Sequence, residues 1–168
     1  MKTKMITENQ EDYLGIIGRI EEDKKKISKI VDTGVESSIT EISKRMNVSK
    51  PSASEMLKNL KKQKLVDYKR YGKMTLTEKG KNESQRMIRK HRIIETFLEK
   101  TLKITKSKIH DLAHKLEHAF DDECIEKIYK LIGKPTHDPQ GKLIPMNGGK
   151  RSMEIKWRFI FRFPWKRE

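Results

Sequence analysis

Four of the five histidines in this 168-residue chain fall between His91 and His118, at helical spacing and interleaved with Glu95 and Glu117. On a helix turning about 100° per residue, His110, His114, Glu117 and His118 lie within roughly 100° of arc. Ile109, Leu112, Ala113, Leu116 and Phe120 occupy the opposite side. Such a helix turns one face to a core and another, made of imidazoles and a carboxylate, to a divalent first-row metal. Upstream, His91 and Glu95 stand at i and i+4, so a second helix would carry them on one face as well. A metal site between helices is the reading these spacings favour, and a solvated histidine-rich face is its plain alternative. Two strings raise an enzyme reading. His114 to His118 spells the H-x-x-E-H pattern of one class of zinc peptidases, and His110 to His114 is near H-E-x-x-H with Asp111 for Glu. Either arises on any helix with histidines at i and i+4, so the remainder of the chain has to decide.

The charge decides part of it. Lys and Arg outnumber Asp and Glu 39 to 24, a net +15 that folding does not require and that implies a polyanionic partner. Double-stranded DNA is the first candidate and an anionic membrane surface the second. The single cysteine, Cys124, excludes an internal disulfide framework. No apolar run nears the roughly 20 residues of a membrane span, and the amino terminus lacks an apolar signal segment. A cytoplasmic protein without integral membrane association is expected. Its length allows one domain or two small ones.

Along the chain, Thr7 or Asn9 is placed to cap a helix whose stripe is Tyr13, Leu14, Ile16, Ile17 and Ile20. Asp12 falls near its first turn, where an acidic side chain complements the helix dipole. Residues Asp23 to Ser38 are charged and contain Gly34, which reads as an exposed extension and loop. From Ile39 two short helices follow. Ile39, Ile42 and Met46 line the first; Asn47-Val48-Ser49 makes the turn; Ser49 caps a second helix that tolerates Pro51 in its first turn. Ala53, Met56, Leu57 and Leu60 would point inward, with Ser54, Glu55, Lys58 and Lys62 outward. This is the pattern of a helix-turn-helix, as against an ordinary helical hairpin. Leu65 to Arg70 and Lys73 to Leu76, joined through Tyr71-Gly72, then read as the two strands of a wing.

The expected DNA contacts are Ser49, Lys50, Pro51, Ser52, Ser54, Glu55 and Lys58 on the recognition helix and Lys69, Arg70 and Lys73 on the wing. Between Val48 and Gly80 nine basic residues face three acidic ones, so the charge surplus coincides with that surface. Thr77 opens a long charged helix to about Leu102. Lys106 to Phe120 is the histidine-bearing helix, and Asp121-Asp122 caps a last one ended by Gly133 and Pro135. Apolar stripes with little to cover them suggest a helical half that forms a homodimer. The fold expected is mainly α: a winged helix-turn-helix domain over residues 1–76, an all-α metal-binding and dimerisation domain over 77–138, and a basic aromatic tail over 139–168.

On these stretches the chain resembles the metal-dependent transcriptional repressors of the diphtheria-toxin-repressor and manganese-repressor family. The resemblance runs through Glu11-Asp12-Tyr13-Leu14, Val48 to Leu60, Leu76 to Gly80, Arg89 to Arg92, and Ile109 to His118. It implies a primary metal site of Asp12, His114, Glu117 and His118 and an ancillary site of His91, Glu95 and His110. It further implies a repressor of metal homeostasis, not an enzyme, that binds operator DNA when loaded with Mn(II) or Fe(II). The donor set would also hold Zn(II) or Co(II), since affinity order alone does not select. The loop from Thr136 to Pro145 resembles the approach to a carboxy-terminal SH3-like domain, but too few residues follow to build one, and His137 reads as a loop residue. A small zinc hydrolase using the H-x-x-E-H motif, and a metal-independent DNA-binding protein, are the competing readings.

Overall fold

The structure is a computed structural model that describes residues 6–28, 37–68 and 73–146. The first helix, α1 (Glu8–Ser28), opens with a reciprocal cap: Thr7 Oγ1 accepts from the Gln10 amide and Gln10 Oε1 from the Thr7 amide. It runs further than its charged sequence suggests. The expected loop beginning at Asp23 starts instead as helix, because its charges are used over long range. Lys24 pairs with Glu41 at 2.7 Å and Asp23 with Arg45 at 3.0 Å, while buried Glu21 accepts from the Leu76 amide.

The two expected short helices are α2 (Ile39–Met46) and α3 (Lys50–Lys62). Asn47 ends α2 in the left-handed conformation, φ 53°, which a short amide side chain tolerates. Ser49 caps α3 by accepting from the Ser52 amide. Ala53, Leu57 and Leu60 are buried and Met56 packs beside them, as their spacing requires. The wing strands are β2 (Val66–Tyr68) and β3 (Lys73–Leu76), antiparallel with Val66 opposite Leu76. A third strand, β1 (Ser37–Ser38), pairs with the other edge of β3, in the order β1-β3-β2. These elements close over a core containing Leu14, Ile17, Ile20, Leu57, Leu60 and Met74.

Thr77 caps α4 (Glu78–Lys100). Gly80 lets this helix begin against the preceding turn, for a Cβ there would stand 1.9 Å from the Leu65 carbonyl oxygen. Helix α4 is not a charged surface helix with one apolar side. It is the spine of the molecule, with α1 laid along it, α5 (Lys106–Ala119) and α6 (Asp122–Leu131) against its far half, and Arg89, Lys90, His91, Arg92 and Glu95 buried. Those charges are satisfied from outside. Arg89 bonds Glu126 at 2.8 Å and the Pro145 carbonyl at 2.7 Å and stacks on Tyr129. Lys90 reaches the Phe120 carbonyl, and Arg92 the Leu143 carbonyl and Glu22. A second core, with Ile93, Ile94, Leu98, Ile109, Ala113 and Ile125 at its centre, fills the space between α4, α5 and α6. Gly18 lets α1 pass close against α4, where a Cβ would fall 1.8 Å from Ser84 Oγ.

Asp121 caps α6, and Gly133 leaves it at φ 79°. The chain then folds back through a small loop held by the Asp138 side chain, whose Oδ1 accepts from the Gln140 and Lys142 amides. Wing residues Lys69 and Arg70, and the tail beyond residue 146, lie outside the described residues.

Candidate metal centre

The histidine face of α5 does not act as one set. His110 turns toward α4, where His91 Nε2 lies 3.2 Å from its Nδ1 and 3.1 Å from Glu95 Oε1. His114 and His118, one and two turns further, turn toward α1. His118 Nε2 lies 2.8 Å from Asp12 Oδ1, and His114 Nδ1 lies 2.9 Å from Glu117 Oε1. The result is two clusters of donors. Asp12, His114, Glu117 and His118 each offer one ligand atom within 4.8 Å of the others, and so do His91, Glu95 and His110. All seven residues singled out in the sequence are thus gathered into two groups.

The elements explain the gathering. Asp12 comes from the first turns of α1, His91 and Glu95 from mid-α4, and the rest from α5, so each group bridges two helices. Glu117, only 2% exposed, belongs to both neighbourhoods: Oε1 faces His114, and Oε2 lies 2.7 Å from His91 Nδ1. Every donor is an imidazole nitrogen or a carboxylate oxygen, a set that suits Mn(II), Fe(II), Co(II) or Zn(II) and lacks the soft sulfur that would favour Cu(I). The outer nitrogen of His118 is held as a metal-binding histidine requires. His118 Nδ1 faces Glu11 Oε2 at 3.1 Å, and Arg86 in turn pairs with Glu11 at 3.4 Å and Asp122 at 3.0 Å.

Burial alone would pull His91 below the ordinary imidazole value, but its bonds to Glu117 and Glu95 outweigh this and raise it. His118 is likewise raised, by Glu11 and Asp12 against burial. Burial would raise Glu95 and Glu117, and their histidine partners hold both below the usual carboxylate range.

Three participants carried no signal that spacing alone could reveal. Glu11 orients His118. Arg19, one turn beyond Gly15 on α1, enters a cavity of about 400 Å³ walled by Asp12, His91, His110 and His114. Asp138 is 5% exposed, with Oδ2 lacking a hydrogen bond and Arg92 Nε 3.6 Å away. His137 stays in the loop, beside Thr136, and belongs to neither group.

The expected DNA face is a separate surface. Ser49, Lys50, Pro51, Ser52, Glu55, Lys58 and Lys73 are exposed and Ser54 is half-buried. Ser49 Oγ is already engaged by the Ser52 amide and hydroxyl. No helix among the described residues is long and apolar enough to cross a membrane.

Known proteins share this fold. Residues 5–74 match the family model of the iron dependent repressor N-terminal DNA binding domain, and residues 77–146 that of the iron dependent repressor metal binding and dimerisation domain. An uncharacterized HTH-type transcriptional regulator of Methanocaldococcus jannaschii is 36% identical over 95 residues, spanning 56% of this chain and 76% of its own. The structure of the manganese regulator SloR superposes with a TM-score of 0.69 at 36% identity, over 82% of this chain and 60% of that one. A manganese-dependent transcriptional repressor in complex with manganese gives 0.67 at 34%, over 81% and 58%. ScaR with bound Zn2+ gives 0.64 at 31%, over 81% and 59%. The chain therefore spans about 60% of the length of these structural relatives. With its DNA-binding and its metal-binding halves both matched, the chain belongs to the iron-dependent repressor family.

Proposed function

We propose that this chain is a cytoplasmic, metal-dependent transcriptional regulator of metal-ion homeostasis, a repressor whose operator binding is switched on by Mn(II) or Fe(II). One observation carries the reading: Asp12, on the helix that cores the winged helix-turn-helix, lies within ligand distance of His114, Glu117 and His118 on the helical half. A divalent ion supplies concentrated positive charge to which these donors bind together, joining the two halves. Asp12 and Glu11 hold the start of α1 against α5, and the Gly18 approach holds its middle against α4. The DNA-reading helix α3 rests on the same core as α1, so fixing α1 fixes α3.

In a two-fold dimer the recognition helices must sit about 34 Å apart to enter successive major grooves. Leu131, at 69% exposed, with Leu143 and Met146 supplies apolar surface on the helical half for such a homodimer. An ion at 100 times its dissociation constant stabilises the joined form by roughly 2.7 kcal/mol. Fully coupled, that is about a hundredfold in operator affinity. Ser52, Ser54, Glu55 and Lys58 on α3 are assigned the groove, with Glu55 able to accept from a cytosine amino group. Lys50, Lys69, Arg70 and Lys73 are assigned phosphates.

The hydrolase reading loses its general base. Glu117 is buried between His91 and His114, both of which already occupy its oxygens. Mobility-shift assays on operator-like double-stranded DNA, with Mn(II), Fe(II), Zn(II) or chelator, test the proposal. Metal-dependent retardation abolished by chelator is expected. Equal binding in every condition would overturn it.

A further inference from the structure

The cavity between α1, α2, α4 and α5 holds cations of its own. Arg19 and Arg45 line it together with donors of both metal groups. Arg45 is paired with Asp23. Arg19 is not paired: among the described residues it makes one hydrogen bond, from Nε to the Gly15 carbonyl at 3.3 Å, although a guanidinium carries five N–H donors. Its Nη2 lies over Gly15, 3.4 Å from where a Cβ would stand, an ordinary contact distance. Glu117, Glu95 and Asp12 are the carboxylates whose charge it feels, and Arg92 opposes them. A half-buried, unpaired cation directed at a cation site is costly unless it serves the balance of charge there.

We propose that Arg19 limits this two-group site to one tightly held divalent cation per chain. Neutral imidazoles contribute no charge. Glu11 stands outside the cavity, on the far nitrogen of His118, in a cluster where it, Glu83 and Asp122 share Arg86 and Lys90. Asp12, Glu95 and Glu117 then give three negative charges and Arg19 one positive, and a single divalent ion cancels the remaining two. A second ion would leave the same amount of positive charge in a partly desolvated space, where like charges repel more strongly than in water. The group holding two carboxylates, Asp12 with His114, Glu117 and His118, takes the ion. The group of His91, Glu95 and His110 stays weak while Arg19 is present. This inference rests on the metal-binding reading above.

The test is a titration of the metal-free chain, without DNA, by calorimetry with Mn(II) and by the visible spectrum of Co(II). The wild type is expected to take one ion tightly and a second at least about tenfold more weakly, the size of effect a neighbouring charge exerts. Arg19→Met should tighten the second ion by about tenfold or more, whereas Arg19→Lys, which keeps the charge, should not. Two equally tight ions on the wild type, or an Arg19→Met chain whose second ion is unchanged or weaker, would overturn the proposal. If circular dichroism shows Arg19→Met unfolded, Arg19→Gln and the wild-type stoichiometry decide the matter in the same way. A wild type that takes up none of Mn(II), Fe(II), Co(II) or Zn(II) would sink the metal-binding reading itself.

Discussion

His91 and Glu117 meet across the α4–α5 interface, with Nδ1 2.7 Å from Oε2, so the carboxylate that serves one donor group also orients an imidazole of the other. Glu117→Gln keeps the shape and removes the charge. It should cost at least about a hundredfold in affinity at the Asp12 group, as loss of a ligating charge would, and about 10- to 100-fold at the His91 group through the lost orientation. Glu95→Gln should weaken the His91 group alone. Calorimetric titration of both variants separates these outcomes, and identical losses for the two would argue against the shared role.

Glu11 is expected to act through His118. Replacing it with Gln removes the charged acceptor at Nδ1 while sparing Asp12, and metal affinity should fall by about 10- to 100-fold. Asp12→Ala should lose the metal response of DNA binding almost wholly, and His91→Ala in part. Mobility shifts across a Mn(II) series provide the measurement, and an unaltered response in Asp12→Ala would remove α1 from the switch.

Protons compete with metal here. His91 and His118 have raised values in the folded chain, so their contribution to metal-free stability is complete below about pH 6.5 and is lost as pH rises through the raised values. Glu95 and Glu117 are lowered, so theirs is complete above about pH 4.3 and is lost as pH falls through the lowered values. The metal-free chain should therefore melt highest between these limits. Metal needs the deprotonated rings, so its affinity should rise with pH beyond 6.5, by about tenfold per unit for each proton displaced. Melting curves with and without Mn(II) from pH 5 to 8.5 test the opposite slopes.

At the α1–α4 crossing, Gly18→Ala would place a methyl on Ser84 Oγ. A loss of about 1–3 kcal/mol is expected from the overpacking. Ser84 Oγ is buried without a hydrogen-bond partner among the described residues, so Ser84→Ala alone should be nearly neutral and should recover part of the loss in the double variant. Additive losses in a thermal double-mutant cycle would place the strain elsewhere.

Ser49→Ala removes the α3 cap and should cost about 1 kcal/mol of stability. Its DNA affinity should drop at every sequence tested rather than at one base position, since the hydroxyl is spent on the helix. Binding to a panel of single-base operator variants makes the distinction.

Much of this was readable in the residues. The helices of both halves announced themselves by 3.6-residue spacing and by caps at Thr7, Ser49, Thr77 and Asp121, because both signals are local. Six of the donors were legible because side chains at i, i+3 and i+4 share a helix face, and Asp12 only through the family resemblance. What escaped depends on distant partners. The two residues of β1 are too few to show a period, and the end of α1 looked like a loop because Asp23 and Lys24 find Arg45 and Glu41 some 20 residues on. Glu11 and Arg19 carry no pattern of their own. Their significance comes from what α4 and α5 bring beside them.

The arginines of α4 bear on how this chain could diverge. Arg86, Arg89 and Arg92 follow one another at intervals of three, and each clasps partners in at least two directions. A lysine offers a single point of charge and cannot reproduce a planar fork. In descendants of this sequence an apparently mild Arg→Lys exchange at 89 would unfasten α6 and the loop ending at Pro145 together.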